Sequence, residues 1–187
     1  MCVQVAKVYA FLATGFEEVE ALAVIDLLRR AAVEVDMISV TGDLRVTGAH
    51  NIEIKADKLF EEADFKNIDL LFLPGGMPGT RNLDTHEGLL EKIIEYDKEE
   101  KYIAAICAAP SVFGHLGILK DRYATCYPGF EKELIGAKVT NDKVVVDGHI
   151  ITARGMGTAI DLGLQLISIL VDEKTAEEQA KGICDRD

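Results

Sequence analysis

The chain has 187 residues, 49% of them hydrophobic and 28% charged, with 32 acidic against 20 basic side chains and a formal net charge of −12. That composition excludes a globally disordered chain and suits one domain with a sizeable core. The acidic balance, with no basic cluster longer than Arg29-Arg30, speaks against direct nucleic-acid binding. No run nears the roughly 18 apolar residues that span a bilayer, and no basic and apolar leader opens the chain, so a cytoplasmic location is expected.

Apolar runs alternate with helical patterns, which predicts an α/β fold: a parallel sheet with helices on both faces. Val3 to Ala13 reads as the first strand, and a helix follows over Glu17 to Ala32, with Thr14 and Glu17 in capping-box spacing. Glu34 to Val40 is the second strand, and Gly42 to Lys55 alternates like a small hairpin. Asp69 to Leu73, apolar after its aspartate, reads as a buried parallel strand ending in Pro74-Gly75-Gly76. A helix over His86 to Glu99 leads to a strand at Tyr102 to Ile106, and another helix starts near Ala108. Strands are predicted at Tyr123 to Cys126, Lys143 to Asp147 and His149 to Ala153, the last two joined at Asp147-Gly148 as a hairpin. Helices over Thr158 to Val171 and Lys174 to Lys181 complete the chain. No repeat or linker divides it, so residues 1–187 are read as a single domain.

Sites in open parallel sheets form beyond the carboxyl ends of strands. Three candidate segments fall there: Gly15 to Glu20, Pro74 to Met77, and Cys107 to Pro110. The run Ala104-Ala105-Ile106-Cys107-Ala108-Ala109-Pro110 passes from strand to helix through small residues, as a strained elbow presenting a nucleophile requires. The following helix N-terminus should lower the thiol pKa, and its amides could hold an oxyanion. An inert buried thiol fits the same spacing. Gly75 and Gly76 would let backbone amides approach a ligand, or form a simple turn.

Glu20 heads an apolar stripe that continues at Val24, Leu27 and Ala31. A carboxylate on such a stripe must protonate or find a partner. Protonated, it can donate to a thiolate and shuttle protons. The plainer alternative is a solvated first-turn acid. Glu17 reads as the capping acid and a possible accessory group, and Glu18 as a solvated helix residue. Histidine is the usual base for a cysteine, but His115 on the same helix would lie about 12 Å from Cys107 along the axis. His50 could reach the site from the hairpin region or a second subunit, whereas His86 and His149 read as exposed. The four cysteines, Cys2, Cys107, Cys126 and Cys184, lack zinc-site spacing. No metal is expected, and the thiols should be free.

These motifs resemble the ThiJ/PfpI superfamily, and within it the DJ-one branch with its bacterial ThiJ/YajL-type members. The resemblance spans nearly the whole chain. It rests on Gly15-Phe16-Glu17-Glu18-Val19-Glu20, Leu73-Pro74-Gly75-Gly76, Ala105-Ile106-Cys107-Ala108-Ala109-Pro110 and Thr152-Ala153-Arg154-Gly155-Met156-Gly157-Thr158. It implies a flavodoxin-like three-layer α/β/α sandwich with a mostly parallel central sheet. It also implies a homodimer whose first helix contributes to the interface near the active site. By resemblance Cys107 is the reactive cysteine, Glu20 the acid that hydrogen-bonds it, and the amides of Gly76 and Ala108 the oxyanion pocket.

The chain departs from the superfamily at three points. Ala108 stands where peptidase-like members carry histidine, Met156 where the branch often has proline, and Tyr127-Pro128 where some relatives have His-Pro. The downstream His-x-Glu pair of glutamine amidotransferases is missing. The resemblance implies a cofactor-independent glyoxalase or deglycase acting on methylglyoxal-type 2-oxoaldehydes or glycated protein side chains under carbonyl or oxidative stress. Its alternative is a redox-sensing stress protein or chaperone controlled by oxidation of Cys107 to sulfinate. A third reading, a binding module without chemistry, is opposed by the presence of both Cys107 and Glu20.

Overall fold

Period-two alternation along buried strands sends neighbouring side chains to opposite faces of a sheet, so a strand apolar at every position must be covered on both sides. The computed structural model, which describes residues 5–185, realises this fully at β6 (Leu70–Leu73), and nearly so at β7 (Tyr102–Ile106), at β1 (Lys7–Leu12), where only Lys7 is exposed, and at β11 (Ile150–Ala153), where Thr152 is a buried polar residue. Val8, Ala10, Leu12, Leu70, Phe72, Ala104 and Ile106 join one core. Tyr9, Phe11, Leu71, Leu73, Ile103 and Ala105 join another.

The first core is closed by α1 (Glu18–Arg30) and α5 (Ala159–Leu170), which pack on each other. The second is closed by α2 (Gly79–Asp84), α3 (Glu87–Lys98) and α4 (Pro110–His115) through Leu83, Leu89, Ile93, Val112 and Phe113. The result is the expected flavodoxin-like sandwich.

With β2 (Glu34–Ser39), β5 (Lys58–Leu59) and β10 (Val144–Asp147), the central sheet has seven strands in the order β10-β11-β7-β6-β1-β2-β5. All pairs are parallel except the β10–β11 hairpin, which turns at Gly148 with φ +63°. Two small sheets lie apart: the predicted hairpin, β3 (Arg45–Thr47) with β4 (Glu53–Lys55), and β8 (Tyr123–Ala124) with β9 (Lys138–Val139). The last helix is α6 (Glu173–Gly182). No helix among the described residues is long and apolar enough to cross a membrane.

Several expectations need correction. The first strand begins at Lys7, and Cys2 and Val3 lie outside the described residues. Glu17, not Thr14, caps α1: its Oε2 accepts the Glu20 amide at 2.7 Å, because Gly15, at φ +85°, turns the chain after Thr14. The short helix α2, which begins at Gly79 with Pro78 as its N-cap, is an element the sequence pattern does not predict. His149 is buried, not exposed, with Nε2 2.9 Å from the Asp97 carboxylate.

Crossing from β1 to β2 on one side and to β6 on the other creates the crevice in which a doubly wound sheet binds ligands. All three candidate segments meet there.

Candidate active site

Cys107 occupies the elbow between β7 and α4 at φ +65°, a left-handed conformation that costs a non-glycine residue about 1 kcal/mol or more. Backbone bonds on both sides hold it. Its N–H donates to the Ala153 carbonyl at 2.9 Å, and its carbonyl accepts the Tyr127 N–H at 2.8 Å. The loop after β6 is stitched to the loop after β1: the Glu17 N–H donates to Gly75 O at 2.9 Å and the Gly79 N–H to Gly15 O at 3.1 Å. Gly76 takes φ +91°, which only glycine adopts freely. Gly75 must be glycine for space, since a Cβ there would lie 2.5 Å from Glu20 Oε2 and 2.6 Å from the Cys107 Cβ.

Glu20 is only 1% exposed. Its Oε2 accepts the Gly75 N–H at 3.0 Å, its carboxylate also accepts the Met156 N–H, and it shares a side-chain hydrogen bond with Cys107. The Gly76 and Ala108 amides point at the sulfur. The structure therefore brings together Cys107, Glu20, Gly75, Gly76 and Ala108, and it adds the Met156 amide, which the sequence does not reveal.

Burial dominates the electrostatics of the pair. It raises the Glu20 carboxyl from 4.5 to about 7, with the Glu17 charge adding to the rise and the Cys107, Gly75 and Met156 hydrogen bonds opposing it. Burial also pushes the Cys107 thiol from 9.0 up to about 12, and the Glu20 carboxylate beside it adds to the rise. The expected acidic thiol is thus not found while Glu20 is ionised. Helix α4 has six residues, and it and the two amides do not offset burial and a neighbouring anion. The pair carries one negative charge above about pH 7, with one proton left between sulfur and carboxylate.

Glu18 is not the solvated residue its helical position implies: it is 3% exposed. Its carboxylate accepts the His50 N–H at 2.7 Å and lies 2.8 Å from His50 Nδ1, binding the β3–β4 hairpin to α1. Burial alone would raise its pKa, but the hydrogen bonds from His50 and Ile52 hold it below 4.5. His50, exposed, binds Glu18 rather than the Cys107 pair. Its Nδ1 is 3.9 Å from Glu17, and ligand atoms of Glu17, Glu18 and His50 lie within 4.8 Å of one another. Each already has a partner within the protein, Glu17 through the Glu20 amide.

Glu18→Ala should lower stability by about 1–2 kcal/mol at neutral pH and speed hydrogen exchange at the His50 and Ile52 amides. Because the folded pKa is depressed, this stabilisation is present above the unfolded value and fades as pH falls through the folded one, so the two proteins should converge in acid. Urea unfolding at several pH values checks it. The remaining predicted histidines lie elsewhere: His115 bridges Asp84 and Glu133 at 2.8 Å each, and His86 caps α3.

The family model for DJ-1/PfpI matches residues 6–169. Protein DJ-1 homolog B of Arabidopsis thaliana is 36% identical over 92% of this chain, which spans 40% of that protein, and homolog A is similarly matched over 43% of its length. Protein dj-1beta of Drosophila melanogaster is 31% identical over 92% of this chain and 93% of its own. A deglycase of Pyrococcus abyssi is 33% identical over 81% of this chain and 91% of its own. Among solved structures, oxidised Toxoplasma gondii DJ-1 superposes with a TM-score of 0.92 at 33% identity, covering 96% of this chain and 98% of that one. Sequence, topology and the placement of the elbow agree, and the chain belongs to the DJ-1/PfpI family.

Proposed function

We propose that this chain is a cofactor-independent glyoxalase and deglycase that uses Cys107 on methylglyoxal-type 2-oxoaldehydes or on their early adducts with protein side chains. The observation that carries the reading is the pairing of a strained, partly exposed Cys107 with a carboxyl group buried enough to hold a proton near neutrality. Similarity to an archaeal deglycase supports the same reading.

When the shared proton sits on Glu20, its charge no longer opposes a thiolate, and two amides face the sulfur. The thiolate adds to the aldehyde carbon, and the Gly76 and Ala108 amides hold the resulting oxygen. Glu20 gives its proton to that oxygen, completing a hemithioacetal. The carboxylate so formed removes the remaining hydrogen from the former aldehyde carbon and returns it to the adjacent ketone carbon, while the hydroxyl proton passes from the former aldehyde oxygen to the former ketone oxygen. The product is a thioester of the 2-hydroxy acid. Water cleaves it, releasing the acid and restoring the thiol, so the net change is addition of one water.

The test is lactate formation from methylglyoxal without glutathione. Turnover supports the reading, and its absence with methylglyoxal and with bulkier 2-oxoaldehydes alike removes it. A homodimer is the assembly proposed, with α1 at the interface. Val19 of α1 and Ile52 of the hairpin, both exposed and both beside the Glu18 anchor, offer apolar surface for it.

A redox role rests on the same geometry. A protonated Glu20 can donate to a cysteine sulfinate and stabilise that oxidation state. Under mild peroxide, mass spectrometry should find oxidation of Cys107 halting at two oxygens, held there by the Glu20 hydrogen bond. Prior oxidation of Cys184 or of buried Cys126, with Cys107 unchanged, removes this role.

A further inference from the structure

Three backbone segments hold the Cys107–Glu20 pair, and each carries an exposed apolar residue at or next to the group that binds it. Gly76 aims its amide at the sulfur, and the next residue, Met77, is 42% exposed. Tyr127 donates its N–H to the Cys107 carbonyl at 2.8 Å, and its side chain is 50% exposed. Met156 donates its N–H to Glu20 and is 55% exposed. The Tyr127 ring lies against Gly155, where an added Cβ would sit 3.3 Å from the ring Cδ2, so Tyr127 and Met156 are neighbours across the Gly155 backbone.

Single exposed apolar residues are ordinary surface. Three of them on separate loops, each at or next to a group that binds the same pair, would frame a substrate held there. An aromatic face beside flexible thioethers suits a flat apolar group, through ring stacking and sulfur–aromatic contact.

The geometry points to a substrate preference: the Met77–Tyr127–Met156 rim receives the substituent on the ketone carbon, so the chain favours 2-oxoaldehydes bearing an aryl or bulky alkyl group over methylglyoxal. This rests on the glyoxalase reading and specifies its substrate class. The chemistry is unchanged: phenylglyoxal plus one water gives mandelate, with the proton moved between adjacent carbons and no oxidant or reductant consumed.

The test is kcat/KM for phenylglyoxal and methylglyoxal, without glutathione, in wild type, Tyr127→Ala and Met156→Ala. Wild type should favour phenylglyoxal by about tenfold or more, the scale of discrimination that apolar pockets reach. Each variant should bring the ratio of the two constants several-fold closer to one, and the ratio is insensitive to a general loss of active protein. Turnover of methylglyoxal with a flat or reversed wild-type ratio overturns this inference alone. So do variants that lose both activities in proportion, including the case in which Tyr127→Ala changes the sedimentation of the protein because a second copy covers the rim. Failure of wild type to turn over either aldehyde overturns the glyoxalase reading, and this inference with it.

Discussion

Cys107→Ala should form no lactate from methylglyoxal above background, a fall of at least about 10³-fold in kcat/KM. No other thiol among the described residues can take over. Cys126 is buried in the core on the α3–α4 face of the sheet, whereas Cys107 packs towards α1 and α5. Cys184 lies exposed after α6. The substitution should leave the fold intact, because alanine tolerates the elbow's positive φ no worse than cysteine and only one sulfur atom is removed. An unchanged urea transition would show this. Cys107→Ser keeps the shape and offers a hydroxyl that stays protonated, so it should be equally inactive. Activity retained in either variant would remove Cys107 from the chemistry and with it the hemithioacetal route.

The parts of this site that are legible in the sequence depend on short-range patterns. The stripe Glu20, Val24, Leu27, Ala31 follows from helical periodicity, and all four side chains are buried as that stripe requires. The elbow at Cys107 follows from a run of small residues after an apolar strand, and the wholly buried Leu70–Leu73 follows from its lack of alternation. What is illegible depends on partners far along the chain. Glu18 looks solvated until His50, 32 residues away, is folded onto it. His149 looks exposed until Asp97, 52 residues away, supplies a carboxylate. The thiol's acidity escapes the sequence for a related reason: the helix-terminus effect is local, but the burial that outweighs it is assembled from segments far apart in the chain. The cap of α1 escapes it because the choice between Thr14 and Glu17 hangs on the positive φ of Gly15, a conformation rather than a residue type.

Glu20→Gln separates the two properties that burial confers on this carboxyl group. Glutamine keeps an acceptor for the Gly75 amide but cannot exchange a proton with sulfur or substrate. Turnover should therefore fall by about 10²–10⁴-fold, the range for losing a positioned acid–base group. Stability should respond with the opposite sign at high pH. In the folded chain the Glu20 pKa is raised from 4.5 to about 7. A raised value means the folded state binds this proton more tightly than the unfolded one. The associated stability is complete below about pH 4.5 and is lost as pH rises through about 7. The loss amounts to about 3 kcal/mol, and it is absent from the variant. The thiol extends the effect upward. Its folded pKa of about 12 against 9.0 gives a further loss above about pH 9, smaller in the variant because the neighbouring carboxylate charge is gone. Unfolding midpoints of both proteins at about pH 5 and about pH 8.5 decide the matter, since every other titrating group is common to the two. A difference that grows with pH in favour of the variant supports a proton held by a buried acid. Parallel pH profiles would mean that Glu20 ionises as freely folded as unfolded, leaving no acid for the alkoxide and no route from the thiolate adduct to the hydroxy acid.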